Sequence, residues 1–129
     1  MEQINPDGWP RPRGYANGVV ASGKLLFVAG QIGWNERGEF ESDDFLAQTQ
    51  QALRNVVAVV AAAGGKPEHI VRLTWYVVDK HDYLAKAAEI GKYYKEVMEG
   101  NYPAMSLVQV AALLEDRAKV EIEATAVLP

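Results

Sequence analysis

Glu121 and Glu123 sit two residues apart in the run Lys119-Val-Glu-Ile-Glu-Ala-Thr-Ala126, where polar side chains alternate strictly with Val120, Ile122, Ala124 and Ala126. A period of two identifies a strand and puts both carboxylates on one face with Lys119 and Thr125. A carboxylate placed there has two uses. Buried in a cleft, it serves as a general acid or base, because desolvation raises its pKa toward neutrality. Paired with Lys119 or with a cation from a second chain, it is structural. For Glu123 a solvated or salt-bridged state is the simpler expectation beside a proton-sharing carboxylate pair. Other reactive groups are sparse. The chain has no cysteine, which removes disulfides, thiolate nucleophiles and thiolate metal sites. The two histidines, His69 and His81, fall in connecting segments. No His-rich metal site is available, and an all-carboxylate magnesium site is the one metal chemistry left open.

The elements that carry these residues follow from periodicity. Residues 1–14 hold Pro6, Gly8, Pro10, Pro12 and Gly14 and read as an irregular arm bearing Arg11 and Arg13. Tyr15 to Ser22 forms a first strand, and Gly23-Lys24 turns it into a hairpin with Leu25 to Ile32. That second run is almost continuously apolar, so it reads as a strand covered on both faces. Asp43 and Asp44 open a helix that runs to about Ala63, with Phe45, Thr49, Ala52, Leu53, Val56, Val60 and Ala63 on its buried stripe. Gln48, Gln51, Arg54 and Asn55 lie off the stripe. Gly64-Gly65 and Pro67 end it. Ile70 to Val78 is the most β-prone run, and a second helix spans roughly Asp82 to Glu99. Pro103 to Ala112 and Lys119 to Leu128 are the last strands, and the short break at Leu114–Arg117 suits a hairpin.

The order is β-β-α-β-α-β-β: an α+β domain covering residues 1–129, with a mixed sheet and two helices on one face. On the last two strands the opposite face would carry Met105, Leu107 and Gln109 beside Lys119, Glu121 and Glu123. So mixed a face in so small a domain implies self-association.

Composition narrows the function. At 129 residues, 49% hydrophobic and 23% charged, the chain is an ordinary globular sequence. Its net charge of −4 disfavours nonspecific nucleic-acid binding, which depends on neutralising phosphates. No basic region followed by an apolar run marks the N-terminus, and the longest apolar stretch, Val56 to Ala63, is far short of a membrane span. The cytoplasm is the default compartment.

Five segments, Tyr15-Ala-Asn-Gly, Val28-Ala-Gly-Gln-Ile32, Gln48-Thr-Gln-Gln-Ala-Leu53, Pro103-Ala-Met-Ser and Val120-Glu-Ile-Glu-Ala-Thr-Ala126, together resemble the Rid family (YjgF/YER057c/UK114, "endoribonuclease L-PSP") in order and spacing from about Tyr15 to Val127. The resemblance implies a fold like that of Bacillus chorismate mutase and a homotrimer with the free sheet faces inward and clefts between subunits. It also implies hydrolysis of enamines and imines such as 2-aminoacrylate to 2-keto acids and ammonia, without a cofactor or metal. By resemblance Glu121 is the catalytic carboxylate. Tyr15 is the cleft tyrosine, Gly30 lines the cleft with its backbone, and a helix asparagine of some members falls on Ala87. The arginine that clamps the substrate carboxylate in deaminating members corresponds to Met105, and the residue two further on is Leu107.

Methionine cannot form the bidentate charge-assisted contact that guanidinium makes with a carboxylate. Losing such a contact costs roughly 2–5 kcal/mol. The substrate expected is therefore larger or more apolar than 2-aminoacrylate, facing Met105, Leu107, Trp34 and Trp75, with Arg11 or Arg13 as a substitute cation. A trimer that binds a small metabolite without turnover is the alternative. The ribonuclease or translation-inhibitor role in the older family name is the weaker one, given the acidic balance and the lack of a histidine pair.

Overall fold

A computed structural model describes all residues, 1–129. Its order is β1 (Glu2–Ile4), β2 (Gly18–Val20), β3 (Lys24–Ile32), α1 (Phe45–Ala62), a 3-10 turn (Pro67–His69), β4 (Ile70–Val77), α2 (Lys80–Ala85), α3 (Ala87–Val97), β5 (Ala104–Gln109) and β6 (Val120–Leu128). Four strands form a mixed sheet in the order β3-β6-β4-β5, and β1 and β2 pair in a small antiparallel ribbon. The architecture is α+β, with α1 and α3 packed together on one face of the sheet.

β6 is the central strand. It runs antiparallel to both β3 and β4, while β4 and β5 run parallel across the crossover that contains α2 and α3. Nine alternating residues explain why it lies there. Its small buried face (Val120, Ile122, Ala124, Ala126) fits beneath α1, and a central position satisfies backbone groups on both of its edges. The hairpin expected between the last two strands does not form, because β6 leaves β5 at the sheet edge and enters the gap between β3 and β4.

Several other expectations are corrected. The N-terminal arm is not wholly irregular: Glu2–Ile4 pairs with β2, and β2 and β3 lie in different sheets rather than forming a hairpin. The strand Lys24–Ile32 is open on one face, where Leu25 is 62% and Phe27 73% exposed. The second helix breaks at Lys86 into α2 and α3, and only α3 sends fully buried side chains (Ile90, Tyr94) into the core.

α1 lies within the expected limits, with the Asp44 carboxylate accepting the Ala47 N–H at 3.0 Å as its N-cap. Gln48, however, is buried rather than off the stripe. Its amide donates to the Ser42 and Arg117 carbonyls at 3.1 and 3.0 Å, and its Oε1 accepts the Lys119 N–H at 2.8 Å. Gly33 allows this approach, since a Cβ there would lie 2.5 Å from the Gln48 Cβ. The half-buried Asn55 amide likewise donates to the Ile32 and Trp34 carbonyls at 3.1 and 2.8 Å. These two amides fix α1 against the end of β3 and the entry to β6, the strand that presents Glu121.

Gln48→Leu keeps the volume but orphans a partly buried backbone N–H and two carbonyls. We expect it to lower unfolding stability by about 2–4 kcal/mol, read from the urea midpoint. A loss under about 0.5 kcal/mol would show that water replaces the amide without penalty.

Candidate active site

β6 and β4 build one half of the site. Glu121 pairs in register with Tyr76, Glu123 with Thr74, and Thr125 with Arg72, so these side chains share the sheet face that no helix covers. Phe27, opposite Thr125, joins them from β3. The expected common face for Lys119, Glu121, Glu123 and Thr125 is present: all four are partly exposed while Val120, Ile122, Ala124 and Ala126 are buried.

Glu121 is half-buried and has neither an ion-pair partner nor a hydrogen bond, so the expected structural pairing with Lys119 is absent. It packs instead on Gly30. The β3–β6 register shifts between Val28 and Gln31, a bulge that holds Gly30 against the neighbouring strand. A Cβ at Gly30 would lie 2.5 Å from Glu121 Oε2 and 2.6 Å from its carboxyl carbon. Glycine at position 30 therefore has a steric reason: backbone and carboxylate share one space.

Glu123 is neither ion-paired nor merely solvated. It accepts a 2.6 Å hydrogen bond from the Tyr76 phenol, which sequence reasoning did not single out. That bond, together with partial burial and the charges of Glu123 and Glu121, raises the Tyr76 pKa above its ordinary value near 10. The signal was present in Arg72-Leu-Thr-Trp-Tyr-Val77, where polar and apolar residues alternate just as they do in β6.

The other half lies at the far edge of the sheet. Met105 and Leu107 are opposite Leu73 and Trp75 and pack toward the helices. They are thus on the face opposite Glu121, which corrects the expected shared face. An in-register hairpin would have aligned the two strands, whereas a parallel β5 separated from β6 by β4 does not. Tyr15 stays beside Met105 because the Ala16 N–H donates to the Pro103 carbonyl at 3.0 Å and Ala16 bridges Ala104. Tyr15 and Met105 line one hollow there, with Arg72 and Ser106. A single subunit therefore brings together Glu121 with Gly30, and Tyr15 with Met105, but not all four. The register puts Glu121 and Met105 two strands and three residues apart, roughly 14 Å, and on opposite faces.

On its helix side Met105 lines a cavity of about 150 Å³ with Arg13, Trp75, Tyr83, Ile90, Tyr94 and Tyr102. Its aromatic rings are in contact: Trp75 lies 6.1 Å from both Tyr83 and Tyr94, and Tyr94 stacks on Tyr102 at 5.9 Å. The Trp75 indole N–H and the Tyr94 phenol oxygen are buried and have no partner. Burial, then the neighbouring Tyr102 and Tyr83, pushes the Tyr94 phenol well up, so it stays neutral. Arg11 faces a different groove, between the arm and Tyr15. Trp34 is half-buried against Phe40 and lines neither half of the site. Ala87 is exposed.

No group of three or more His, Asp or Glu side chains is arranged to hold a metal, and no helix is long and apolar enough to cross a membrane. The His69 ring accepts the Lys66 N–H at 2.9 Å, and the His81 ring lies 3.0 Å from the Asp79 carboxylate. Each histidine is thus engaged in a local cap.

A mixed sheet with helices on one face and a carboxylate strand across the open face define a two-layer α+β protein of the YjgF type. The chain belongs to the Rid/YjgF/RutC family: the model of the family described as Endoribonuclease L-PSP matches residues 10–128. A Yersinia pestis protein of the conserved Rid family superposes with a TM-score of 0.84 at 41% identity, covering 98% of both chains. The 2-iminobutanoate/2-iminopropanoate deaminase of Escherichia coli K12 is 39% identical over 113 residues, 88% of this chain and 86% of that protein. Escherichia coli TdcF, solved with bound serine, covers 100% of both chains at 34% identity and a TM-score of 0.73.

The raised Tyr76 pKa makes stability depend on alkaline pH. The folded state holds that proton more tightly, so the contribution is complete below about pH 10 and is lost as pH rises through the folded pKa. In Tyr76→Phe the fall in thermal midpoint above pH 10 should be shallower than in wild type. An unchanged alkaline slope would remove Tyr76 as its source.

Proposed function

We propose that the protein is a cofactor-independent hydrolase of enamines or imines, acting in clefts that neighbouring subunits of a homotrimer complete, with Glu121 as general acid and base. The carrying observation is the Glu121 carboxylate: half-buried, unpaired, packed on Gly30, and on a sheet face that no helix covers. The exposed Leu25, Phe27 and Val108 on that face support assembly, since covering a large apolar side chain contributes about 1.5–3 kcal/mol. A second copy also offers what one chain lacks, a Tyr15–Met105 half to set against a Glu121–Gly30 half. The deaminase relative and the serine-bound TdcF structure are consistent with a small amino-acid-derived substrate.

The chemistry needs one proton carrier. Protonated Glu121 delivers a proton to the enamine carbon, giving the iminium. The resulting carboxylate then takes a proton from water as its oxygen adds to the iminium carbon. Glu121 then passes that proton to nitrogen and takes the carbinol hydroxyl proton as the C–N bond breaks, so that ammonia and the 2-keto acid leave and Glu121 is again protonated. Gly30, having no side chain, leaves room for the Glu121 carboxylate itself.

Met105 shapes the preference. Thioether and aromatic walls favour an apolar side chain over the methyl group of 2-iminopropanoate. Imines made in situ by an amino-acid oxidase and trapped competitively with semicarbazide test both parts. The imine from phenylalanine should turn over faster than that from alanine. Glu121→Gln should lower kcat by about 10²–10⁴-fold while the trimer mass seen by light scattering is unchanged. Full activity in Glu121→Gln would refute the catalytic role, and a faster alanine-derived imine would refute the preference.

A further inference from the structure

We propose that the open sheet face is matched to a second copy of this chain by charge, with Arg72 of each subunit pairing with Glu123 of the partner subunit. The Tyr76–Glu123 hydrogen bond then lies inside the interface and holds the acid that the guanidinium meets. This deepens the homotrimer of the reading above and rests on it, though not on the reaction.

Arg72 is the cation that the face leaves unmatched. It lies on β4, opposite Thr125 of β6 and Ala104 of β5, on the side that no helix covers. It is exposed and makes no ion pair within the chain. The same face exposes Leu25, Phe27 and Val108, which favour being covered. A guanidinium covered along with them needs a carboxylate, because a charge taken from water is tolerated only when it is paired.

Glu123 is the acid prepared for that role. The Tyr76 phenol donates to its Oε1 at 2.6 Å, which fixes the carboxylate on the face and leaves its other oxygen free. A guanidinium fork matches such an acceptor. Glu121 is less suited, since its carboxyl packs against Gly30 at the bulge. Pairing through Glu123 thus leaves Glu121 without an ion-pair partner.

Within one chain the two groups are neighbours that do not meet. Arg72 and Glu123 are diagonal in the β4–β6 register and line one hollow of about 180 Å³ with Phe27, Thr74 and Thr125, yet no ion pair joins them. Both charges are presented to whatever covers the hollow. A second copy brings the same two charges, and in a closed ring of three each Arg72 meets one Glu123 with none left over. Opposed charges across an interface also penalise wrong registers, so the pair selects the rotation that closes the ring.

Dilution series of the intact protein, followed by light scattering and sedimentation, test this. Arg72→Glu and Glu123→Arg should each weaken assembly by about tenfold or more. Arg72→Gln and Glu123→Gln should weaken it in the same direction by less, and they serve if a reversal fails to fold. The two reversals combined in one chain should restore most of the loss. Chains of Arg72→Glu and of Glu123→Arg, refolded as an equal mixture, should assemble more tightly than either alone, which pairing inside one chain cannot produce. Glu121→Gln should assemble as wild type does. Variants that dissociate as wild type does, or a mixture no tighter than its parents, would overturn the pairing. If wild type is a trimer in that case, the homotrimer stands and the pairing alone fails. A wild type that stays monomeric at micromolar concentration would overturn both.

Discussion

A carboxylate at the centre of a sheet, on the face that no helix covers, is the constraint from which the rest of the structure follows. β6 lies between β3 and β4, so Glu121 has strands on both sides. It forms no ion pair within the chain. Gly30 meets it closely, which requires glycine at that point and a bulge to present it. Gln48 and Asn55 support the arrangement from behind by tying α1 to the entry of β6 and the end of β3. What the fold stabilises, then, is the position of one acid.

The same topology places Met105 and Tyr15 where Glu121 cannot reach them. β5 is an edge strand, and its helix-side residues face an aromatic cluster rather than the open sheet. In the proposed homotrimer the two halves become neighbours across a subunit boundary. The apolar open face gives a reason for that boundary to exist, since Phe27 and Leu25 are more exposed than large apolar residues of a lone domain usually are. Assembly and activity thus have one cause in the proposed mechanism.

Much of this was legible in the sequence. Strict alternation in Lys119–Ala126 gave the face of Glu121, and Asp44 with Gly64-Gly65 bounded α1 within two residues. Local pattern could not decide pairing partners. A four-residue break before Lys119 is compatible with a hairpin, and the preference of β6 for two edges rather than one is a tertiary effect that no local signal encodes. Because a parity error in pairing changes which face a residue serves, it put Met105 beside Glu121. Gln48 escaped notice because glutamine is rarely buried, and its role appears only once three backbone groups, two of them far along the chain, converge on it. The aromatic cavity draws its residues from the arm, β4, α2, α3 and β5, so no single stretch announces it.

The central claim is that the site is shared between chains, and co-assembly of two inactive variants tests it most directly. Glu121→Gln lacks the acid, and Met105→Glu repels the substrate carboxylate from the other half. Each alone should be inactive. Unfolded together and refolded as mixed trimers in equal amounts, they should regain activity, since random assortment leaves about one cleft in four with both halves intact. Mixed trimers of confirmed composition that stay as inactive as their parents would mean that both halves act within one chain, and would contradict the shared site.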